Sequence, residues 1–406
     1  MSSENLSYNT KRTPVLNKTL VVPTSKSFAN RALILAAIND SPVTLNNMPE
    51  STDVVNMKKC LRAVGIEIVE EADSITIVNS FPECEVPCED TVELVTGDGG
   101  TTNRFIIPLL ALGSNRYSLK ASEMMIERPM DELDEVMTSL GVDVIRDSKT
   151  WFSLKGPYKI NRHVVDVDCS RSTQFATGLA LSLSKLNVDI TPVNLTTSTP
   201  YWEMTVNIID SFKDGDVFDI PVDFSSLSYP LAMASFSGRV LVKNCRGIDR
   251  FQADSTLIYL LEELGLDLEF SKEGLVVAGR DDIPGFEKDC KDCPDLVPTL
   301  CFIASYSRGT TKLYNVDVLK HKECDRLAEM QRMLEAFGVS FSYDLEKDML
   351  SITGRDPHED IVNYDPPVDH RMVMVAYLFQ RFNGGGVLGN SSCVAKSFPS
   401  FFTEME

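Results

Sequence analysis

Residues 20–38 read LVVPTSKSFANRALILAAI. A short extended apolar stretch meets a polar junction, Lys26-Ser27, and then a helix that is apolar on nearly every side yet carries Arg31. Helices of that kind belong in a core, so the sequence puts cationic and hydroxyl groups where a buried strand feeds a buried helix. The same order returns in ELVTGDGGTTNRFIIPLLALG (93–113), VDVDCSRSTQFATGLALSL (165–183) and IPVDFSSLSYPLAMASFS (220–237). It returns again in KDCPDLVPTLCFIASYS (291–307) and NYDPPVDHRMVMVAYLFQ (363–380), making six copies of one segment. Self-similarity at a fixed period is the mark of a repeat architecture.

A second kind of segment follows each copy: a β-rich strand, a polar loop and an amphipathic helix. In ADSTLIYLLEELGLDL (253–268) the apolar residues fall at helical spacing and stop at a glycine. Most copies then run into a strand pair, such as IEIVEEADSITIV (66–78) or VSFSYDLEKDMLSI (339–352). The unit is strand-helix-strand-helix-strand-strand, a βαβαββ repeat of about 70 residues. This predicts an α/β (α+β) chain of two domains with three repeats each, in keeping with a length too great for one ordinary core. The third copy lacks its strand pair and passes straight into PVDFSSLSY, which marks a crossover near 220–224. The expected domains are 24–223, inserted, and 1–23 plus 224–406, with the N-terminal strand TLVV completing the latter and a hinge near 22–25 and 220–224.

Composition narrows the function. With 39 Lys and Arg against 59 Asp and Glu, the net charge is -20, which argues against nucleic acid as a partner. The apolar runs are well short of a bilayer span of about 20 residues, and the polar start MSSENLSYNTKRTP shows no secretory signal; a cytoplasmic protein is expected. Ten scattered cysteines fit free thiols. The pairs Cys84/Cys88 and Cys290/Cys293 could supply four zinc ligands, but they lie far apart in sequence without a nearby histidine, and no metal is expected. TGDGGTTNR lacks the Lys-Ser/Thr of a P-loop, and no Gly-x-Ser-x-Gly elbow occurs. Four histidines leave little for a triad or a metal site; His370 fits an orienting role.

Each buried helix starts at a polar junction, and helix N-termini are seats for phosphate or carboxylate. Taken singly, Ser27, Ser172, Thr173, Ser225 and Asp295 read as N-caps. Their company reads otherwise. Lys26 and Arg31 flank Ser27; Arg128 precedes Pro129; Lys322, Glu323 and Arg326 share one junction; Arg371 and Lys396 mark two more. Two domains with their helix starts facing would enclose a cleft suited to an anionic substrate despite the acidic net charge.

These motifs resemble the 5-enolpyruvylshikimate-3-phosphate (EPSP) synthase family from about residue 17 to the C-terminus. The blocks are SKSFANRAL (25–33), GGTTNR (99–104), ERP (127–129), STQF (172–175), PD (294–295), KECDRL (322–327), DHRM (369–372) and AKSFP (395–399). The resemblance implies a two-domain enolpyruvyl transferase fold whose helices converge on an interdomain cleft. It implies transfer of the enolpyruvyl group of phosphoenolpyruvate to the 5-hydroxyl of shikimate 3-phosphate, by addition and elimination through a tetrahedral intermediate, with release of phosphate. It also implies a cytoplasmic monomer without cofactor.

Carried over position by position, the resemblance places shikimate 3-phosphate on Lys26, Ser27, Arg31, Ser172, Thr173 and Gln174. Ser198, Asp295 and Lys322 complete that set, and Tyr201 packs against the ring. Phosphoenolpyruvate falls to Lys26, Gly100, Arg128, Gln174, Arg326, Arg371 and Lys396. Asp295 is implied as the base for the hydroxyl, and Glu323 with Lys26 handles protons at the enolpyruvyl carbon. Thr24 stands where the family has glycine, Asp98 where many members have asparagine, and Val318 where many have a substrate-touching asparagine; Arg171 is offered as a compensating cation. Gly100 keeps room beside the phosphoenolpyruvate site, which predicts inhibition by glyphosate. The sister enzyme acting on UDP-N-acetylglucosamine uses a cysteine shortly before the equivalent of Arg128, and ASEMMIERP contains none. A metabolite-sensing relative would have lost the acid-base groups, whereas Asp295, Glu323 and Lys26 are present.

Overall fold

Helices of two kinds alternate along the chain. In chain order they are α1 (Lys26–Ile38), α2 (Thr52–Ala63), α3 (Gly100–Leu110), α4 (Asp131–Ser139), α5 (Gln174–Leu183) and α6 (Thr199–Ser211). There follow α7 (Phe224–Ala234), α8 (Thr256–Glu263), α9 (Val297–Tyr306), α10 (Arg326–Ala336), α11 (His370–Phe382) and α12 (Phe401–Met405). The odd-numbered helices are the apolar runs of the sequence and are buried nearly throughout, α11 at every residue. The even-numbered helices bury one face, as their mixed composition dictates. This is a computed structural model, and it describes residues 6–122, 125, 128–148, 151–236 and 238–406. Glu127 of the ERP block lies outside the described residues.

The chain divides into two compact units: an inserted unit, Thr24–Pro221, and a split unit, Met1–Pro23 with Val222–Glu406. Within the inserted unit α1, α3 and α5 pack on one another; within the split unit α7, α9 and α11 do the same. Gly178 lets α5 lie directly on α3, because a Cβ there would overlap the Arg104 carbonyl.

Among the described residues each unit carries two four-stranded sheets and a two-stranded one. In the inserted unit the orders are Val217–Asp219, Val43–Asn46, Ser74–Ile77, Ile68–Glu70 and Val92–Gly97, Arg116–Ala121, Trp151–Lys155, Asp143–Ser148. In the split unit they are Asn17–Leu20, Arg239–Val242, Gly274–Ala278, Asp267–Ser271 and Glu287–Asp289, Thr310–Tyr314, Met349–Thr353, Ser340–Asp344. In each four-stranded sheet the first two strands pair in parallel and the rest antiparallel.

The repeat departs from six identical units in an instructive way. Among the described residues only the second and fifth copies hold the full βαβαββ order in consecutive sequence. The first copy takes its leading strand from Val217–Asp219, which pairs with Val43–Asn46. The fourth takes its leading strand from Asn17–Leu20, two residues earlier than the TLVV of the sequence reading, which pairs with Arg239–Val242. Each unit is therefore completed by a strand distant in sequence.

Candidate active site

Ser27 and Ser225, polar residues at two of the buried helix starts, are not spent on capping. Ser25, not Ser27, caps α1 by accepting from Phe28 N at 3.3 Å. Asp223, not Ser225, caps α7. Asp295 lies in a single 3-10 turn, Pro294–Leu296, ahead of α9. Ser27 and Ser225 thus sit in the first helical turn with hydroxyls available for other partners.

In the inserted unit, Lys26 Nζ meets the buried Asp53 Oδ2 at 3.0 Å, joining the starts of α1 and α2. Arg31 is buried and donates to Ser27 O at 2.7 Å, Thr205 Oγ1 at 2.9 Å and Tyr201 O at 3.2 Å, which leaves two N–H groups of the guanidinium unspent. Its plane lies over Phe105, and burial pulls its pKa down to about 10, still charged at neutral pH. Arg104 of GGTTNR donates to Gln174 Oε1 at 2.7 Å, Ser172 Oγ at 3.4 Å and Pro129 O at 2.8 Å, so one buried cation in α3 holds the approaches to α4 and α5. Gln174 reaches Thr101 Oγ1 at 3.4 Å. Ser198 precedes α6 in left-handed conformation, φ 59°, which turns the chain so that Tyr201 enters that helix. Thr173 caps α5 by position but makes no side-chain cap bond.

Arg128 pairs with no carboxylate among the described residues. Its guanidinium lies against Gly100 at the start of α3, where a Cβ would stand 2.5 Å from Nη1. A guanidinium beside a helix N-terminus is a strong anion seat. Gly100→Ala is expected to push Arg128 aside and weaken the binding of an anion at that seat about tenfold, the cost of one overpacked contact. Calorimetric titration of the parent and the variant with inorganic phosphate reads this; an unchanged affinity would refute it.

In the split unit the groups converge on Asp295. Its Oδ1 accepts from Arg326 Nη1 at 2.9 Å and faces Lys322 Nζ at 3.6 Å, while Oδ2 accepts from Arg371 Nη2 at 2.9 Å. Burial opposes the charge, but Arg371, Lys322 and Arg326 hold the carboxyl far below the usual carboxylate range. Glu323 accepts from Arg326 Nη2 at 2.7 Å and lies 3.7 Å from Lys396 Nζ. Arg326 is 1% exposed and also donates to Asp369, from Nε at 2.7 Å and Nη2 at 3.3 Å. Burial works against its charge, and Asp369, Glu323 and Asp295 more than offset this. His370 is buried beside Asp369.

The family model described as EPSP synthase (3-phosphoshikimate 1-carboxyvinyltransferase) matches residues 11–217 and 213–405. The chain belongs to the EPSP synthase family. A 3-phosphoshikimate 1-carboxyvinyltransferase of Aliivibrio salmonicida is 29% identical, with 95% of each chain covered. One from Methanopyrus kandleri is also 29% identical, over 97% of this chain and 96% of its own. Among solved structures, EPSP synthase from Acinetobacter baumannii superposes with a TM-score of 0.76 at 19% identity, over 98% of this chain and 96% of the other. The enolpyruvyl transferase NikO from Streptomyces tendae gives 0.73 at 15%, covering 99% and 96%. These two likenesses concern the fold.

Against the EPSP synthase pattern, the structure brings Asp295, Lys322, Glu323, Arg326, Arg371 and Lys396 together in the split unit. It gathers Ser27, Arg31 and Tyr201 at one place in the inserted unit, and Ser172 with Gln174 at another. Asp53, Arg104, Asp254 and Asp369 were not singled out from the sequence, although each is buried in contact with a residue that was. The odd Thr24 has a role: its φ is not positive, and its hydroxyl donates to Asn47 O at 2.6 Å, so the turn never needed glycine. Arg171 does not serve as the spare cation the sequence suggested, because Asp131, at 2.9 Å, and Glu132 hold it. All ten cysteines are free, and Cys84/Cys88 and Cys290/Cys293 belong to different units. No group of three or more metal-ligating side chains occurs among the described residues.

Proposed function

We propose that this member of the EPSP synthase family transfers the enolpyruvyl group of phosphoenolpyruvate to the 5-hydroxyl of shikimate 3-phosphate, releasing phosphate, as a cytoplasmic monomer without cofactor. The observation that supports this reading best is the Asp295 carboxylate between three cations, with the Glu323–Lys396 pair alongside. A hydroxyl must lose a proton as a vinyl carbon gains one, which requires a base and an acid among charges that hold anions. No helix among the described residues is long and apolar enough to cross a membrane.

In the inserted unit, Ser27, Arg31, Ser172, Thr173, Gln174 and Ser198 receive shikimate 3-phosphate, with Tyr201 against its ring. Lys26, Gly100, Arg128 and Gln174 meet phosphoenolpyruvate. In the split unit, Asp295 takes the 5-hydroxyl proton as the oxygen adds to C2 of phosphoenolpyruvate, and Lys322 faces the same substrate. Glu323, with Lys26, delivers a proton to C3 and removes one as the C–O bond to phosphate breaks. Arg326, Arg371 and Lys396 hold the carboxylate and phosphate. A carboxylate held by three cations is a weak base. Anionic substrates that draw on Arg371 and Lys322 weaken that field, so Asp295 gains proton affinity when its partner hydroxyl is in place.

Phosphate release with phosphoenolpyruvate plus shikimate 3-phosphate tests the reaction; activity with UDP-N-acetylglucosamine alone in its place would overturn it. With Gly100 open, glyphosate is expected to inhibit in competition with phosphoenolpyruvate. An undiminished rate at glyphosate concentrations well above the phosphoenolpyruvate KM would sink that expectation.

A further inference from the structure

Asp254 is 2% exposed and lies in the 3-10 turn Ala253–Ser255 ahead of α8. Its Oδ2 accepts the hydroxyl hydrogen of Ser225, and its Oδ1 is buried without a partner. Leaving a buried acceptor unpaired is costly, so the carboxylate is not explained by its contribution to folding. Ser225 has its backbone N–H bound by Asp223, and its hydroxyl oxygen accepts from Arg371 Nη2 at 3.3 Å. The same nitrogen donates to Asp295 Oδ2 at 2.9 Å, while Nη1 lies 3.4 Å from Asp295 O. Nη2 thus reaches both Asp295 and Ser225.

We propose that Asp254 is a positioning residue: by holding the Ser225 hydroxyl as a donor, it turns that oxygen's lone pairs to Arg371 and fixes the guanidinium plane against Asp295. This rests on the reading of Arg371 as a phosphoenolpyruvate residue. The physical reason is directional. A hydroxyl has one hydrogen, and an ionised carboxylate can only accept. With Asp254 ionised, Ser225 donates to it and accepts from Arg371. With Asp254 protonated and donating, the hydroxyl hydrogen turns out toward an N–H group and the link is lost. Burial, opposed by Arg371 and aided by Asp295 and Asp223, pushes the Asp254 carboxyl up to about 6. The link therefore weakens as pH falls through that value.

Asp254→Asn and Ser225→Ala are each expected to raise the phosphoenolpyruvate KM about tenfold, the effect of one lost hydrogen bond to a charged group, with the shikimate 3-phosphate KM within about twofold. The double variant is expected to be no worse than the weaker single, since both cut one link. The acid limb of kcat/KM for phosphoenolpyruvate near pH 6 is expected to vanish in Asp254→Asn. Parallel rises in both KM values, or multiplying effects in the double variant, would overturn the proposal. Should Asp254→Asn not fold, Ser225→Ala alone carries the KM test. Arg371→Ala, run beside them, separates the layers. A raised phosphoenolpyruvate KM there, with both other variants normal, overturns only the positioning link; an unchanged one overturns the reading of Arg371 and the link with it.

Discussion

Asp295→Ala is expected to keep both substrates bound and to lose turnover by about 10²–10⁴-fold, the usual worth of a positioned base. Binding survives because the carboxylate consumes cationic capacity rather than supplying it. Removal frees Arg371, Arg326 and Lys322 from a shared anion, so the anionic substrates should bind as tightly or more tightly. Calorimetric titration gives the binding and single-turnover phosphate release gives the rate. Near-normal turnover would remove Asp295 from the chemistry. Weakened binding with proportionate loss of rate would make it a ligand instead.

Arg326→Met should produce the largest stability effect. The guanidinium is 1% exposed and serves Asp369, Asp295 and Glu323 together. Without it, Asp369, fully buried, keeps a charge with no guanidinium against it. Breaking a buried pair from one side costs about 3–5 kcal/mol, and the urea midpoint of the split unit should fall accordingly. An unchanged midpoint would show that these carboxylates need no guanidinium against them. Turnover should fall as well, since Arg326 also fixes Glu323.

The alternation of helices was legible because it depends on local pattern. Apolar-all-round runs and amphipathic runs differ in composition over ten or so residues, and each declares its own burial. Strand destinations are not local. Val217–Asp219 is three residues long, and nothing in Val-Phe-Asp names Val43–Asn46 as its partner. The site divided along similar lines. Lysines and arginines at buried junctions stood out because such charges have no bland reason to be there. The carboxylates that oppose them did not stand out. Asp53, Asp254 and Asp369 each occur where a helix begins, in Ser-Thr-Asp, Gln-Ala-Asp and Val-Asp-His, and an aspartate there reads as a cap. Asp369 is in fact both, accepting from Arg371 N at 2.9 Å while it holds Arg326. Thr24 looked anomalous for a related reason: its partner, the Asn47 carbonyl, belongs to a turn that cannot be anticipated from position 24.

The borrowed strands also set an order in time. As the chain is made from its N-terminus, Asn17–Leu20 appears early but must wait for Arg239–Val242 before it has a partner. Val217–Asp219 appears just before the chain returns to the split unit and can close the sheet of Val43–Asn46 at once. The inserted unit can therefore finish on the ribosome while the segment that precedes it still trails as an unpaired edge. Domains fold as units during synthesis, and here the part of the chain made first is among the last to find its place.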